Sequence, residues 1–595
     1  MTEASNRKYS LLSVFFIFVF ILSIFFSFNI WRKNRIIIDA PSYYTYLPAV
    51  FIHHDLSLGF IDKDPDFFRN VIWYYKIENG KKLIKHPMGI SLALSPFFLA
   101  GHVAAKVTGG RQDGYSLCYQ NAVSIGVLVY LAIGLLYLRK LLLVMFSDKI
   151  TALTLVGLVI GTNLLWYSTI EGLMPHAISF SFICVCLFHF YECLRSGGAK
   201  NLFAFAFLFG LIILIRPLAI TLLVYFITAA IVSKGGLKGF IAYLKPQWKY
   251  IIPAALIAVS IFSLQMFYLK YATGKWLYDV YIDEHFVFSS PQMLPFLFSF
   301  RKGIFIYTPV LIFSVIGLVW LYRKRRDVFY GTIIIMPLTV FLLSSWWAWS
   351  YGISWGIRPM IDYYALLAIP LAAGFSMSFS KGRILAGFSG VIIFLFIILN
   401  LFQTWQYKNG LIHYDDMTRE SYFKGFFQTE KSLEWLDLLS PYDWDRRIRG
   451  LPQIEYNKEY IQASFGKYPV YLRGYNLQIV TVNAKAQHAV AAYMKAPGPG
   501  SWFDIEPSGE DIISFRAGNG YYLTVSGSYD NALIADAAFI GEKEKFHITY
   551  LSDNRVALKA WNGKYVAVSP DFPNILFASS SEVSQKETFR LFVKE

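Results

Sequence analysis

"LLSVFFIFVFILSIFFSFNI", Leu11 to Ile30, is twenty residues without a single charge. A helix of about 20 apolar residues matches the thickness of a bilayer's hydrocarbon core. No small-residue cleavage site follows, so the stretch reads as a retained first span rather than a removed leader. Working outward, similar apolar runs recur as far as about Trp405. With 55% hydrophobic and 18% aromatic residues among 595, and a mean hydropathy of +0.44, the chain is not an ordinary soluble protein. The rest is richer in polar residues, glycine and short alternating stretches.

A net charge of +16 would suit nucleic acid, but much of the excess sits in short clusters between apolar runs. That is how membrane proteins fix their orientation, and nucleic acid is not expected as a partner. The four cysteines, Cys118, Cys184, Cys186 and Cys193, lie in or beside apolar runs. No disulfide framework is therefore expected in the polar C-terminal region, and Cys184-Val-Cys186 reads as helix packing rather than a metal site.

Charge also sets the expected topology. The cluster Arg323 to Arg326, with Arg139-Lys140, Arg195, Lys234, Lys238, Lys381 and Arg383, should be cytoplasmic. These fall on one side only if 88–107, interrupted by Pro96, Gly101 and His102, does not cross. That stretch then reads as an interfacial or re-entrant helix. The expectation is about eleven spans, with the N-terminus inside and the C-terminal region outside. Residues 31–116, 167–175, 271–303 and 347–360 would share that outer face.

The motif-like stretches gather there. "DAPSYYTYLPA" opens on Asp39, which can cap the helix that Pro41 and Ser42 begin. It can also act as a general base toward an acceptor hydroxyl. The long loop after it carries His54 and Asp55 and returns through "KHPMG" with Lys85 and His86. Arg301 and Lys302 precede an apolar run on the outer side, against the charge bias, where they could snorkel or bind. Arg216 and Arg358 lie at membrane depth, which is costly unless they are paired or bound to something. Outer cations near lipid suit a lipid-borne phosphate. Trp346, Trp347, Trp349, Tyr351 and Trp355 suit either an interfacial aromatic belt or a loop that stacks a sugar or grips a prenyl chain.

Over about residues 1–405 the pattern resembles the GT-C class of polytopic glycosyltransferases, especially the protein O-mannosyltransferase and lipid A aminoarabinose transferase group. Asp39 matches that group's acidic residue after the first span, and "KHPMG" resembles its basic residue followed by proline. "SFRKGIFIYTPVL" and "WSYGISWGIRPMIDYYALLAIPL" look like segments of bacterial members. The resemblance implies inverting transfer of a sugar from a polyprenyl-phosphate donor to a lipid, glycan or protein acceptor, with Asp39 as base. Where some members carry a second acidic residue, this chain offers Glu171 and then His176. The expected substrate-binding set is His54, Asp55, Lys85, His86, Glu171, His176, Arg216, Arg301, Lys302, Tyr351 and Arg358. No metal ligand is assigned, and a divalent cation is left open. The implied setting is a bacterial plasma membrane and its envelope. A transporter or flippase for lipid-linked sugars is the alternative, although no internal repeat of spans supports it.

Beyond a connecting segment at 406–469, a repeat emerges. "VYLRGYNLQIVTVN" (470–483), "ISFRAGNGYYLTVS" (513–526) and "VALKAWNGKYVAVS" (556–569) align without gaps, 43 residues apart. Phe503, Phe546 and Phe589 keep the same spacing. Three such units predict a β-trefoil over 470–595, resembling the fascin type since the lectin Gln-x-Trp signature is missing. Tyr522, Tyr565 and the three phenylalanines are expected in its core.

Overall fold

A computed structural model describes residues 7–594, except 69–70, 78–79, 282–283, 381, 433–434, 437, 441, 443, 452–456, 477, 484–487, 495–496, 528–529, 553 and 570–573. Its contacts divide the chain into two compact units. The first comprises Met1–Tyr422 with Arg447–Gly450, and the second Phe423–Arg446 with Leu451–Glu595.

The first unit is helical. Among the described residues, eight helices are long and apolar enough to cross a membrane. They are Lys8–Ser27, Gly89–Val107, Leu117–Leu142, His176–Ser196, Leu237–Thr273, Arg326–Ser345, Arg358–Ser380 and Arg383–Lys408. Ala199–Ile215 and Pro217–Ser233 are shorter apolar helices. Of the about eleven spans expected from the sequence, two that its apolar runs place at 149–168 and 304–322 are not single span-length helices. The run at 149–168 divides into Asp148–Ile160 and Leu164–Thr169 around Gly161. The run at 304–322 divides at Pro309, which cannot donate to the helix ladder. Conversely, Gly89–Val107 is one continuous 19-residue helix despite Pro96.

Tyr364–Ser380 is the centre of this unit, buried at nearly every position from Tyr364 to Phe375. A helix apolar all round is either enclosed by protein or faces lipid, and this one is enclosed. It crosses Ile312–Lys324 at two glycines. A Cβ on Gly317 would fall 1.8 Å from the Pro370 carbonyl oxygen, and one on Gly374 1.9 Å from that of Phe313. Small residues let two backbones touch where hydrophobic burial between helices gives little drive. This packing fixes the start of Tyr364–Ser380, from which part of the candidate site is mounted.

Among the described residues of the second unit, twelve antiparallel strands form one continuous network, four to each 43-residue repeat. Phe503, Phe546 and Phe589 are fully buried at its centre, with Leu472, Phe515 and Leu558. This is the trefoil expected from the sequence. A side-chain amide at the same repeat position ties each lobe. Asn476, Asn519 and Asn562 donate to the carbonyls of Ala492, Ala535 and Ala578 at 2.9, 3.0 and 3.0 Å. Each also accepts a backbone N–H two residues on, at 3.0–3.1 Å. Tyr522 and Tyr565 are a correction: both are half-buried, not core. The phenol of Tyr522 needs a partner and donates to Glu506 at 2.8 Å, while Lys559 lies over the Tyr565 ring.

Candidate active site

Asp39 follows Ile38, which sits at φ 58°. A β-branched residue rarely adopts that left-handed conformation, and doing so costs of order 1–3 kcal/mol. Asp39 does occupy the cap position of the short helix Ala40–Tyr44, yet its side chain makes no capping bond. The carboxylate turns instead to Arg358, whose Nη2 lies 2.7 Å from Oδ2. Burial raises the carboxyl's proton affinity. The Arg358 guanidinium, with the Lys85 ammonium, outweighs that and holds Asp39 below the usual carboxylate range. It is therefore ionised at neutral pH, and its side chain keeps 24% of its surface exposed. Arg358 Nη1 is buried and finds no acceptor among the described residues.

Four residues after Arg358, on the same turn Arg358–Tyr363, stands Asp362. It accepts from Arg216 Nε at 3.1 Å and lies 3.2 Å from His176 Nδ1. Arg216 is available because Pro217 ends helix Ala199–Ile215 and leaves it extended between two helices. The guanidinium also bonds the Tyr43 hydroxyl, and the His86 ring packs on Tyr43 with centroids 4.2 Å apart. Burial pushes the His86 imidazole down to about 3, so it is neutral, and its Nδ1 has no partner among the described residues. Lys85 pairs with Glu284 at 2.5 Å beneath Trp73, Tyr75 and Tyr281, an aromatic cage for an ammonium.

A second carboxyl completes the cluster. Glu171 is buried, and burial raises it to about 7 against the opposing pull of Trp166, Arg358 and Lys302. Its Oε2 has no partner among the described residues. Lys302 is also buried, donating to the Ser354 carbonyl and, at 3.0 Å, to its hydroxyl. Burial lowers the Lys302 ammonium to about 7. Two carboxyls thus differ in kind: Asp39 is ionised throughout the neutral range, while Glu171 can hold a proton there. Environments that push two acids apart in this way suit a division of acid and base roles.

Asp39, Lys85, His86, Glu171, His176, Arg216, Lys302 and Arg358 therefore come together. The loop that ends in Arg358 turns at Tyr351, Gly352 and Gly356, all at positive φ, and Tyr351 donates to the Leu343 carbonyl at 3.0 Å. Trp349 and Trp355 of that loop are buried, and the Tyr167 hydroxyl accepts the Trp355 N–H at 3.0 Å. Arg301 turns away toward the Asp415 carbonyl and the Asp416 carboxylate. Asp55 belongs elsewhere: it closes a turn by accepting the Ser57 and Gly59 N–H groups at 2.8 Å. His54 is exposed at φ 52°. Asp362, Glu284, Tyr43 and Tyr167 were not singled out in the sequence. For Asp362 a signal existed, an acidic residue in the first turn of an apolar span. No three His, Cys, Asp or Glu side chains among the described residues form a group able to hold a metal.

The family model for the FRG1-like domain matches residues 487–592. No curated protein matches the sequence. Among solved structures, the designed threefold-symmetric protein ThreeFoil aligns with 21% of this chain and 99% of its own at 16% identity, with a TM-score of 0.20. The apo oligosaccharyltransferase of Archaeoglobus fulgidus aligns over 77% of this chain and 62% of its own at 14% identity, TM-score 0.36. The oligosaccharyltransferase AglB of that organism, in complex with an inhibitory peptide and a dolichol-phosphate, aligns over 70% and 56% at 12% identity, TM-score 0.35. The chain thus spans about three fifths of those two oligosaccharyltransferases.

Proposed function

We propose that this protein is a membrane glycosyltransferase of the GT-C type, transferring a sugar from a polyprenyl-phosphate donor to an acceptor hydroxyl with inversion. One observation carries the reading: an ionised, part-exposed Asp39 held by an arginine that keeps a buried N–H without an acceptor. Asp39 takes the acceptor's hydroxyl proton as the acceptor oxygen bonds to the anomeric carbon. The bond from that carbon to the phosphate oxygen breaks, and the polyprenyl phosphate leaves with the electron pair. Arg358 Nη1 and Arg216 bind the phosphate as its charge develops, where preformed donors matter most. Neutral His86 and protonated Glu171 hydrogen-bond the sugar. The site lies on the periplasmic side of a bacterial plasma membrane, and the trefoil presents the lipid, glycan or protein acceptor there, raising its local concentration.

The test is mass spectrometry of lipid-linked sugars and envelope glycans with and without the protein. Accumulation of one polyprenyl-phosphate sugar together with loss of that sugar from a glycan supports transfer. Unchanged glycans, with a lipid-linked sugar stranded on the cytoplasmic side, would instead favour a flippase.

A further inference from the structure

The apolar run Leu237–Thr273 is 37 residues long, roughly 55 Å at 1.5 Å per residue, whereas a bilayer's hydrocarbon core is about 30 Å thick. Its helix Trp248–Thr273, at about 39 Å, is enough to cross on its own. The later turns of that helix reach the candidate active site, where Gln265 accepts the Met88 N–H and Tyr268 the Ile84 N–H, both at 2.9 Å. Helix Leu237–Leu244 and the turn Lys245–Gln247 are therefore left at the opposite membrane boundary, roughly 25 Å away along the axis.

One side of this segment is fastened to the bundle. Gly235 and Gly236, at φ 74° and 106°, turn the chain into it. Lys234 donates to the Leu194 carbonyl at 2.7 Å, and the Tyr243 hydroxyl to that of Cys193 at 2.8 Å. The other side is open. No residue of Leu237–Leu244 is buried, and Leu237, Ile241 and Trp248 expose 60%, 47% and 65% of their surface. Lys238, Lys245 and Lys249 are exposed among them. Lys249 lies over the ring of its neighbour Tyr250, and none of the three lysines enters an ion pair among the described residues. The sequence from 193 to 278 holds no Asp or Glu at all.

We propose that residues 237–249 are a binding site for the headgroups of anionic phospholipids, on the membrane face opposite Asp39. A segment with lysines on its polar side and leucine and tryptophan on the other lies in the plane of the membrane interface. The apolar side chains enter the acyl boundary while the ammonium groups meet the phosphates. A soluble anion would satisfy the lysines but leave Leu237, Ile241 and Trp248 in water. A zwitterionic lipid would cover the apolar side but bring no net charge. Each lysine near an anionic surface is worth about fivefold in affinity. The site is independent of the chemistry assigned to Asp39 and uses no residue of that cluster.

The full-length protein in detergent is titrated, by native mass spectrometry, with phosphatidylglycerol and with phosphatidylcholine of the same acyl chains. Phosphatidylglycerol should bind about tenfold more tightly or better, as several lysines acting together require. Lys245→Gln alone should weaken phosphatidylglycerol about fivefold and leave phosphatidylcholine unchanged. Combining it with Lys238→Gln and Lys249→Gln should bring the two lipids to nearly equal affinity. Lys275→Gln, just past the other end of the same run, should keep the full preference. Equal binding of the two lipids by the unaltered protein overturns the proposal, and so does a preference that survives in both the single and the triple variant. Displacement of phosphatidylglycerol by millimolar inorganic phosphate overturns it too, because the ligand is then a free anion.

Discussion

Replacing Asp39 with Asn removes a charge and almost no volume, so its effects on chemistry and on folding can be separated. The amide oxygen can still accept from Arg358, across what is now a 2.7 Å ion pair. The guanidinium loses its counter-charge but keeps a partner, so the folding cost is that of a charge-assisted hydrogen bond, about 1.5–3 kcal/mol. It stays below the roughly 3–5 kcal/mol of a buried ion pair with one member deleted outright. Catalysis should suffer more. A positioned general base is worth about 10²–10⁴ in rate, or roughly 3–5 kcal/mol at 1.36 kcal/mol per tenfold. The assay follows release of polyprenyl phosphate from a panel of short-chain polyprenyl-phosphate hexoses and pentoses, with the protein in nanodiscs. Arg358→Gln supplies a second readout, because Arg358 is the chief group holding the Asp39 carboxyl down against burial. Without it that carboxyl rises, and the acidic limb of the rate profile moves to higher pH. If Asp39→Asn keeps more than about a tenth of normal turnover, well above a general-base loss, the base lies elsewhere.

Lys302→Met tests a buried cation. The folded protein releases this proton near pH 7 and the unfolded chain near 10.5, so stability should rise with pH between those values and Lys302→Met should flatten that limb in urea melts. Glu171 works in the opposite sense: raised from 4.5 to about 7, it makes stability fall as pH climbs through that window, and Glu171→Gln should remove the fall. Gly317→Leu places a side chain where a Cβ alone would meet the Pro370 carbonyl, and it should prevent recovery of monodisperse protein in detergent, whereas Gly387→Leu, in open space, should not. Asn562→Ala removes two hydrogen bonds of one trefoil lobe and should cost about 1–3 kcal/mol, read from the denaturant midpoint of tryptophan fluorescence.

The trefoil was legible because a repeat writes its core three times: Phe503, Phe546 and Phe589 declare themselves by spacing alone. Tyr522 and Tyr565 keep the same spacing yet are half-buried. Periodicity marks a shared environment without saying whether it is wet or dry. In the helical unit, Asp39, Arg216 and Arg358 could be picked out because charge near apolar sequence is expensive and rare. Their pairing could not be read. Asp362 neutralises Arg216 from 146 residues away, and Glu284 meets Lys85 across 199, separations that leave no local signature. Asp55 misled for a related reason, since an aspartate in a loop closes turns as readily as it meets a substrate.

The turn Arg358–Tyr363 has a consequence for how the chain is made. Asp39, His176 and Arg216 leave the ribosome first, while both of their counter-groups, Arg358 and Asp362, arrive last on one short segment. At about 5–20 residues per second, Asp39 waits on the order of 20–60 s for Arg358. Burying any of these charges unpaired meanwhile would cost several kcal/mol, so the early helices cannot close around them and stay hydrated. The emergence of a single turn then gives Asp39 and Arg216 their counter-charges and the His176 imidazole its carboxylate partner at once, and the pocket dries in one late step of biogenesis.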